Sequence, residues 1–101
     1  MKTTIQELDG NMVAILEGSL DTGAAAETEE AMSVLGSVEG KDIIIDCTHL
    51  EYVSSAGLRI FLEILQNAED RGGHVYFKGV TDSVREIFTI TGFCNIFEFK
   101  E

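Results

Sequence analysis

The hydrophobic pattern of the chain changes period several times. Met12 to Glu17 (MVAILE) is apolar enough for a central strand, and Thr3 to Glu7 forms a shorter strand before it. Between them, Asp9-Gly10-Asn11 is hairpin turn chemistry. Gly18-Ser19-Leu20-Asp21-Thr22-Gly23 then breaks the second strand. From about Ala24 to Val38 the period becomes helical, with Ala31, Val34, Leu35 and Val38 forming a stripe expected to face a core. Asp21 or Thr22 can cap this helix. Glu27, Glu29 and Glu30 are read as lying near its start, where the helix dipole favours anions. Gly36 and Gly40 suit the helix end and the turn after it.

Asp42 to Cys47 (DIIIDC) has three successive isoleucines, the pattern of a strand buried on both faces. THLEYV follows as an irregular crossover. A second helix opens near Ser55 and runs to about Arg71. Leu58, Phe61, Leu62 and Leu65 make its stripe, widened by Ile60 and Ile64. Arg71-Gly72-Gly73 ends it. His74 to Lys78 alternates and is β-rich. Thr81 or Asp82 can cap a third helix that turns Val84, Ile87 and Phe88 inward and ends at Gly92. Asn95 to Lys100 supplies a last short strand. The order β-β-α-β-α-β-α-β predicts an α/β fold. Its mixed sheet has four to five strands, with one antiparallel hairpin and parallel crossovers packed with three or more helices.

Length narrows this further: 101 residues fit one domain spanning 1–101. The net charge of −11, from 7 basic against 18 acidic residues, disfavours nucleic acid and anionic membrane surfaces as partners. It suits either a basic patch on another protein or a surface that is simply well solvated. No apolar run approaches the roughly 20 residues of a membrane span. The first ten residues, MKTTIQELDG, contain no apolar signal core, so a cytoplasmic setting is expected. Cys47 and Cys94 form neither a disulfide framework nor a zinc pattern and read as small buried apolar residues.

The candidate chemistry lies between Asp46 and Arg59. A buried strand ends there, a short connection follows, and the pair Ser54-Ser55 opens an amphipathic helix. A phosphate on Ser55 would meet free backbone N–H groups and the positive end of the helix dipole. Ala56 and Gly57 leave little bulk around the hydroxyl, so another protein can approach. On the physics alone, however, capping is the commoner use of a serine at a helix start.

Ser54-Ser55-Ala56-Gly57-Leu58, following a strand that ends in Asp, resembles the phosphoacceptor motif of the STAS family, typified by anti-sigma factor antagonists. Gly18-Ser19-Leu20-Asp21 is similar to that family's turn before its first helix. Val84-Arg85-Glu86-Ile87-Phe88, with Thr91-Gly92-Phe93, resembles its third-helix segment. Ser54 stands where many antagonists carry Asp, and Ala56 where Ser or Thr is common. The resemblance implies a STAS fold and a module that is not an enzyme. It implies phosphorylation at Ser55, with Ser54 as an alternative acceptor. It further implies docking through Asp21, Thr22, Ser54, Ala56 and Gly57. The implied partners are an anti-sigma factor serine kinase, bound when Ser55 is unmodified and released on phosphorylation, and a phosphatase that resets the switch. An adaptor subunit of a transporter or larger signalling complex, never phosphorylated, is the second reading.

Hydrolase chemistry has little footing. There is no Gly-x-Ser-x-Gly elbow, no nucleotide-binding glycine loop and no metal-ligand spacing, so no cofactor or metal is expected. His49 precedes Ser55 by six residues without any mark of a base and reads as a solvated loop residue.

Overall fold

The structure is a computed structural model that describes residues 1–37 and 41–100. The expected hairpin forms from β1 (Lys2–Leu8) and β2 (Asn11–Leu20). Asp9 and Gly10 take φ of 52° and 81° at its tip, the doubly left-handed geometry of a two-residue turn whose twist matches its strands. The chain continues through α1 (Thr22–Met32), a 3₁₀ turn (Ser33–Ser37), β3 (Ile43–Val53), α2 (Ser55–Asp70) and β4 (Val75–Lys78). It closes with α3 (Asp82–Thr91), a second 3₁₀ turn (Phe93–Asn95) and β5 (Glu98–Lys100). The five strands lie in the order β1-β2-β3-β4-β5, antiparallel between β1 and β2 and parallel elsewhere. The fold is therefore α/β with a mixed sheet, as the element order predicted.

One face of the sheet carries the core. Ala14 and Leu16 from β2, Ile43, Ile45 and Cys47 from β3, and Val75 and Phe77 from β4 are buried against the helices. Phe61 of α2, Phe77 and Phe88 of α3 meet edge to face with centroids 5.2–6.4 Å apart, which ties two helices to one strand. The alternate residues, among them Val13, Ile15, Ile44, Asp46, Tyr76 and Lys78, point to the other face. No described helix covers that face. The expectation that Asp42–Cys47 is buried on both sides is thus corrected, because Ile44 is only half-buried.

Further expectations change for identifiable reasons. The first helix starts at Thr22 and its α-helical part stops at Met32. Ala31 and Val34 are exposed, and Thr28, Met32 and Leu35 face inward instead. With the α-helical part ending at Met32, Glu29 and Glu30 fall in its last turn, where the dipole disfavours them. Val38 and Gly40 lie outside the described residues. The β2 strand is not broken at Gly18; it runs to Leu20 through irregularities at Ile15/Glu17 and Gly18/Ser19. Opposite it, Thr48–Val53 continues as strand rather than crossing over irregularly, with Leu50 and Val53 buried. The bulged pairing hid both extensions, since it interrupts the strict alternation that marks a strand in sequence. His74 lies outside β4, and the last strand begins at Glu98 because Phe93–Asn95 forms the 3₁₀ turn.

Candidate functional site

Extending β2 and β3 to Leu20 and Val53 brings two helix starts together. Leu20 pairs with Val53, and the Ser54 N–H donates to the Leu20 carbonyl at 2.8 Å. The junction leading into α1 (Asp21, Thr22) therefore lies beside the junction leading into α2 (Ser54, Ser55). Asp21 caps α1, its carboxylate accepting from the Ala24 N–H at 2.8 Å. Asp21 and Thr22 are both exposed at this edge. The structure thus places the Asp21–Thr22 pair and the Ser54–Gly57 segment side by side.

The two serines are not equivalent. Ser54 is the N-cap, with φ −81° and ψ 171°, and its hydroxyl accepts from the Gly57 N–H at 3.2 Å. It is 6% exposed. Ser55 is the first helical residue and is exposed. Among the described residues, no group hydrogen-bonds its hydroxyl. Capping and accessibility, both conceivable for Ser55 from sequence, are divided between neighbours: Ser54 caps and Ser55 is free. The first turn of α2 itself holds no acidic residue.

Gly57 requires a correction of cause. It is buried, and a Cβ there would lie 2.7 Å from Leu20 Cγ and 2.9 Å from Val53 Cγ1. Its smallness lets α2 sit down on the ends of β2 and β3, which is a packing role. Ala56, half-buried, faces a groove of about 140 Å³ between α1 and α2, lined also by Ala25, Ala26, Glu29, Arg59 and Ile60. Sequence reading did not single out Arg59. Its position four residues after Ser55, on the same helix face, was the available signal.

The larger hollow lies elsewhere. It measures about 750 Å³ and is lined by Thr48, His49, Glu51, Thr81 and Ser83, together with Glu17, Gly18 and Leu50. Ser55 is not part of it. His49 belongs to β3 rather than to a loop, and no base is hydrogen-bonded to the Ser55 hydroxyl among the described residues. The Cys47 thiol is pushed up to about 12, first by burial and then by the charge of Asp46, so it stays protonated and inert. Among the described residues no cluster of His, Cys, Asp or Glu is arranged to hold a metal. No described helix is long and apolar enough to cross a membrane.

Comparison with known proteins bears on the family and the fold. A family model described as STAS domain matches residues 2–101. The chain is 31% identical over 97 residues to BtrV of Bordetella bronchiseptica, a candidate anti-sigma factor antagonist, covering 96% of this chain and 84% of that protein. It is likewise 31% identical to the anti-sigma-B factor antagonist of Listeria monocytogenes, over 95% of this chain and 85% of the relative. Among solved structures, the phosphorylated form of the Bacillus cell fate determinant SpoIIAA superposes with a TM-score of 0.72 at 19% identity, covering 99% of this chain and 92% of the other.

Proposed function

The chain belongs to the STAS domain family, and from that footing we propose that it works as an anti-sigma factor antagonist, a binding module switched by phosphate on Ser55. The observation that carries this reading is the exposed, unbonded hydroxyl of Ser55 at the first position of α2, with the capping duty held by Ser54. Unmodified, the edge formed by Asp21, Thr22, Ser55 and Ala56 docks a serine-kinase anti-sigma factor. Ser54 and Gly57 hold that edge in shape from beneath.

The kinase transfers the γ-phosphoryl group of ATP to the Ser55 hydroxyl oxygen, and the module is its substrate, not a catalyst. The product carries about −1.5 to −2 charge at neutral pH, in the middle of the docking edge. There it expels the partner by desolvation cost and by repulsion from any carboxylate the partner presents. Helix α2 itself tolerates the charge, because its N-terminal N–H groups and dipole favour an anion. A phosphatase returns the module to its binding form. The SpoIIAA phosphoprotein supports the reading to the extent that a STAS fold exists in a phosphorylated form. The cytoplasm, where ATP and sigma factors are found, is the compartment this cycle requires.

The test is a pull-down with the serine-kinase anti-sigma factor of the same genome. Ser55→Ala retains the partner and Ser55→Asp loses it by at least about tenfold in affinity, or about 1.4 kcal/mol. Equal retention by both variants would overturn the switch. Intact-mass analysis of the native protein, with the segment from Asp46 to Arg59 mapped, should find a species one phosphate heavier at Ser55. A phosphate found on Ser54 instead would reassign the acceptor.

A further inference from the structure

The face of the sheet opposite the helices has no part in the phosphate switch. Ile15, Ile44 and Tyr76, all half-buried, form an apolar strip across its three central strands with the buried Val13 beside them, and Leu8, 51% exposed, extends it at the hairpin end. Its charges nearly balance. Lys2, Lys78 and Lys100 stand on this face with Glu17, Asp42, Asp46 and Glu98; Lys78 lies opposite Lys100 in the sheet register, and each lysine also has an acidic residue or an aromatic ring beside it. Lys2 pairs with Glu17 across β1 and β2, Lys78 pairs with Asp46, and the Lys100 ammonium sits 4.4 Å from the centre of the Tyr76 ring. Three of the seven basic residues are thus gathered on one face, and nearly all of the net charge of −11 is carried by the rest of the surface.

We propose that two copies of this chain associate through this open sheet face. Any contact through the helical side sets acidic surface against acidic surface and is repelled. The open face offers the apolar strip without that repulsion. It is also self-complementary. A two-fold axis running between β3 and β4 lays Ile44 of one copy on Tyr76 of the other, and Asp46 of one on Lys78 of the other, twice over. A strongly acidic or basic partner gains little electrostatic steering from a nearly neutral face, whereas a second copy brings the matching pattern. Five strands about 4.8 Å apart give a face on the order of 20 Å across, which places the association at the weak end of specific interfaces. Ser55, at the start of a helix on the opposite layer, stays free in each copy.

The experiment is sedimentation velocity on the unphosphorylated full chain from about 10 µM to about 1 mM, paired with amide chemical shifts across the same dilution. The mass is expected to rise from 11.1 kDa toward twice that value, with shift changes confined to residues such as Ile15, Ile44 and Tyr76. Added salt strengthens the association by screening the global repulsion. The double variant Lys78→Glu, Lys100→Glu alters only exposed side chains, so the fold holds, and it weakens association by at least about tenfold. Ser55→Asp leaves it unchanged, which separates this inference from the switch. A mass fixed at 11.1 kDa throughout, an association indifferent to the double variant, or shifts centred on α1 and α2 would each overturn it.

Discussion

Helices α2 and α3 are capped in the same way, and the contrast between them lies at the first and third helical positions. Ser54 caps α2 through the Gly57 N–H, and Thr81 caps α3 through the Val84 N–H at 3.4 Å. The first helical residue is Ser55 in α2 and Asp82 in α3; the third is Gly57 in α2 and Val84 in α3. Asp82 gives α3 a permanent anion on its dipole. The α2 start lacks one and presents a hydroxyl that acquires such a charge only by modification. At the third position, Val84 is fully buried and fills space, whereas Gly57 leaves room for Leu20 and Val53. One helix start is finished as a structural element. The other has its cap and its packing settled from below and one outward position electrostatically open.

The largest effect is expected from making the third positions alike. Gly57→Val gives α2 the residue that α3 has, but its Cβ would sit under 3.0 Å from both Leu20 and Val53. Overpacking of this kind costs about 1–3 kcal/mol. For a domain of this size that is roughly 4–8 °C of melting temperature per kcal/mol. A thermal melt within a degree of the parent would show that the strand ends yield and that Gly57 serves the surface after all.

Next comes the division of labour within the serine pair. Ser54→Ala removes the cap and costs about 1 kcal/mol, while Ser55→Ala stays within about 0.5 kcal/mol of the parent. Urea denaturation of the two variants measures this directly. Equal losses would mean that the capping role is shared and that Ser55 is not held free.

Much of this was legible in the chain itself. The strand-helix alternation and the caps at Asp21, Thr81 and the serine pair follow from short-range chemistry, and all are found in the structure. What the sequence hid depends on contacts between distant segments. The division between Ser54 and Ser55 turns on where the helix begins to within one residue, and the Ser54 N–H to Leu20 carbonyl bond fixes that start. The role of Gly57 depends on Leu20, thirty-seven positions earlier, and so it looked like surface clearance. Ile44 looked fully buried because a one-sided layer of helices leaves no trace in an apolar run. The stripe of α1 was misplaced because alanine fits either side of a helix, so Ala31 carried no directional information.

The smallest effect probes the open position itself, by exchanging the first residues of the two helices. Ser55→Asp puts on α2 the anion that α3 owns, and Asp82→Ser takes it from α3. Each change is worth about 0.3–1 kcal/mol at low ionic strength, with opposite signs and less at high salt. Ser55→Asp is therefore expected to raise the melting temperature slightly and Asp82→Ser to lower it. The sign matters more than the size. A Ser55→Asp variant that loses its partner while gaining stability has not lost binding by unfolding, and the loss must then come from charge at the docking edge. A variant that loses both would attribute the effect to a damaged α2 start, and the likeness between a carboxylate at Ser55 and the one at Asp82 would fail. The same pair of melts, repeated on protein phosphorylated at Ser55, carries the argument from the mimic to the phosphate, whose larger charge should move stability further in the same direction.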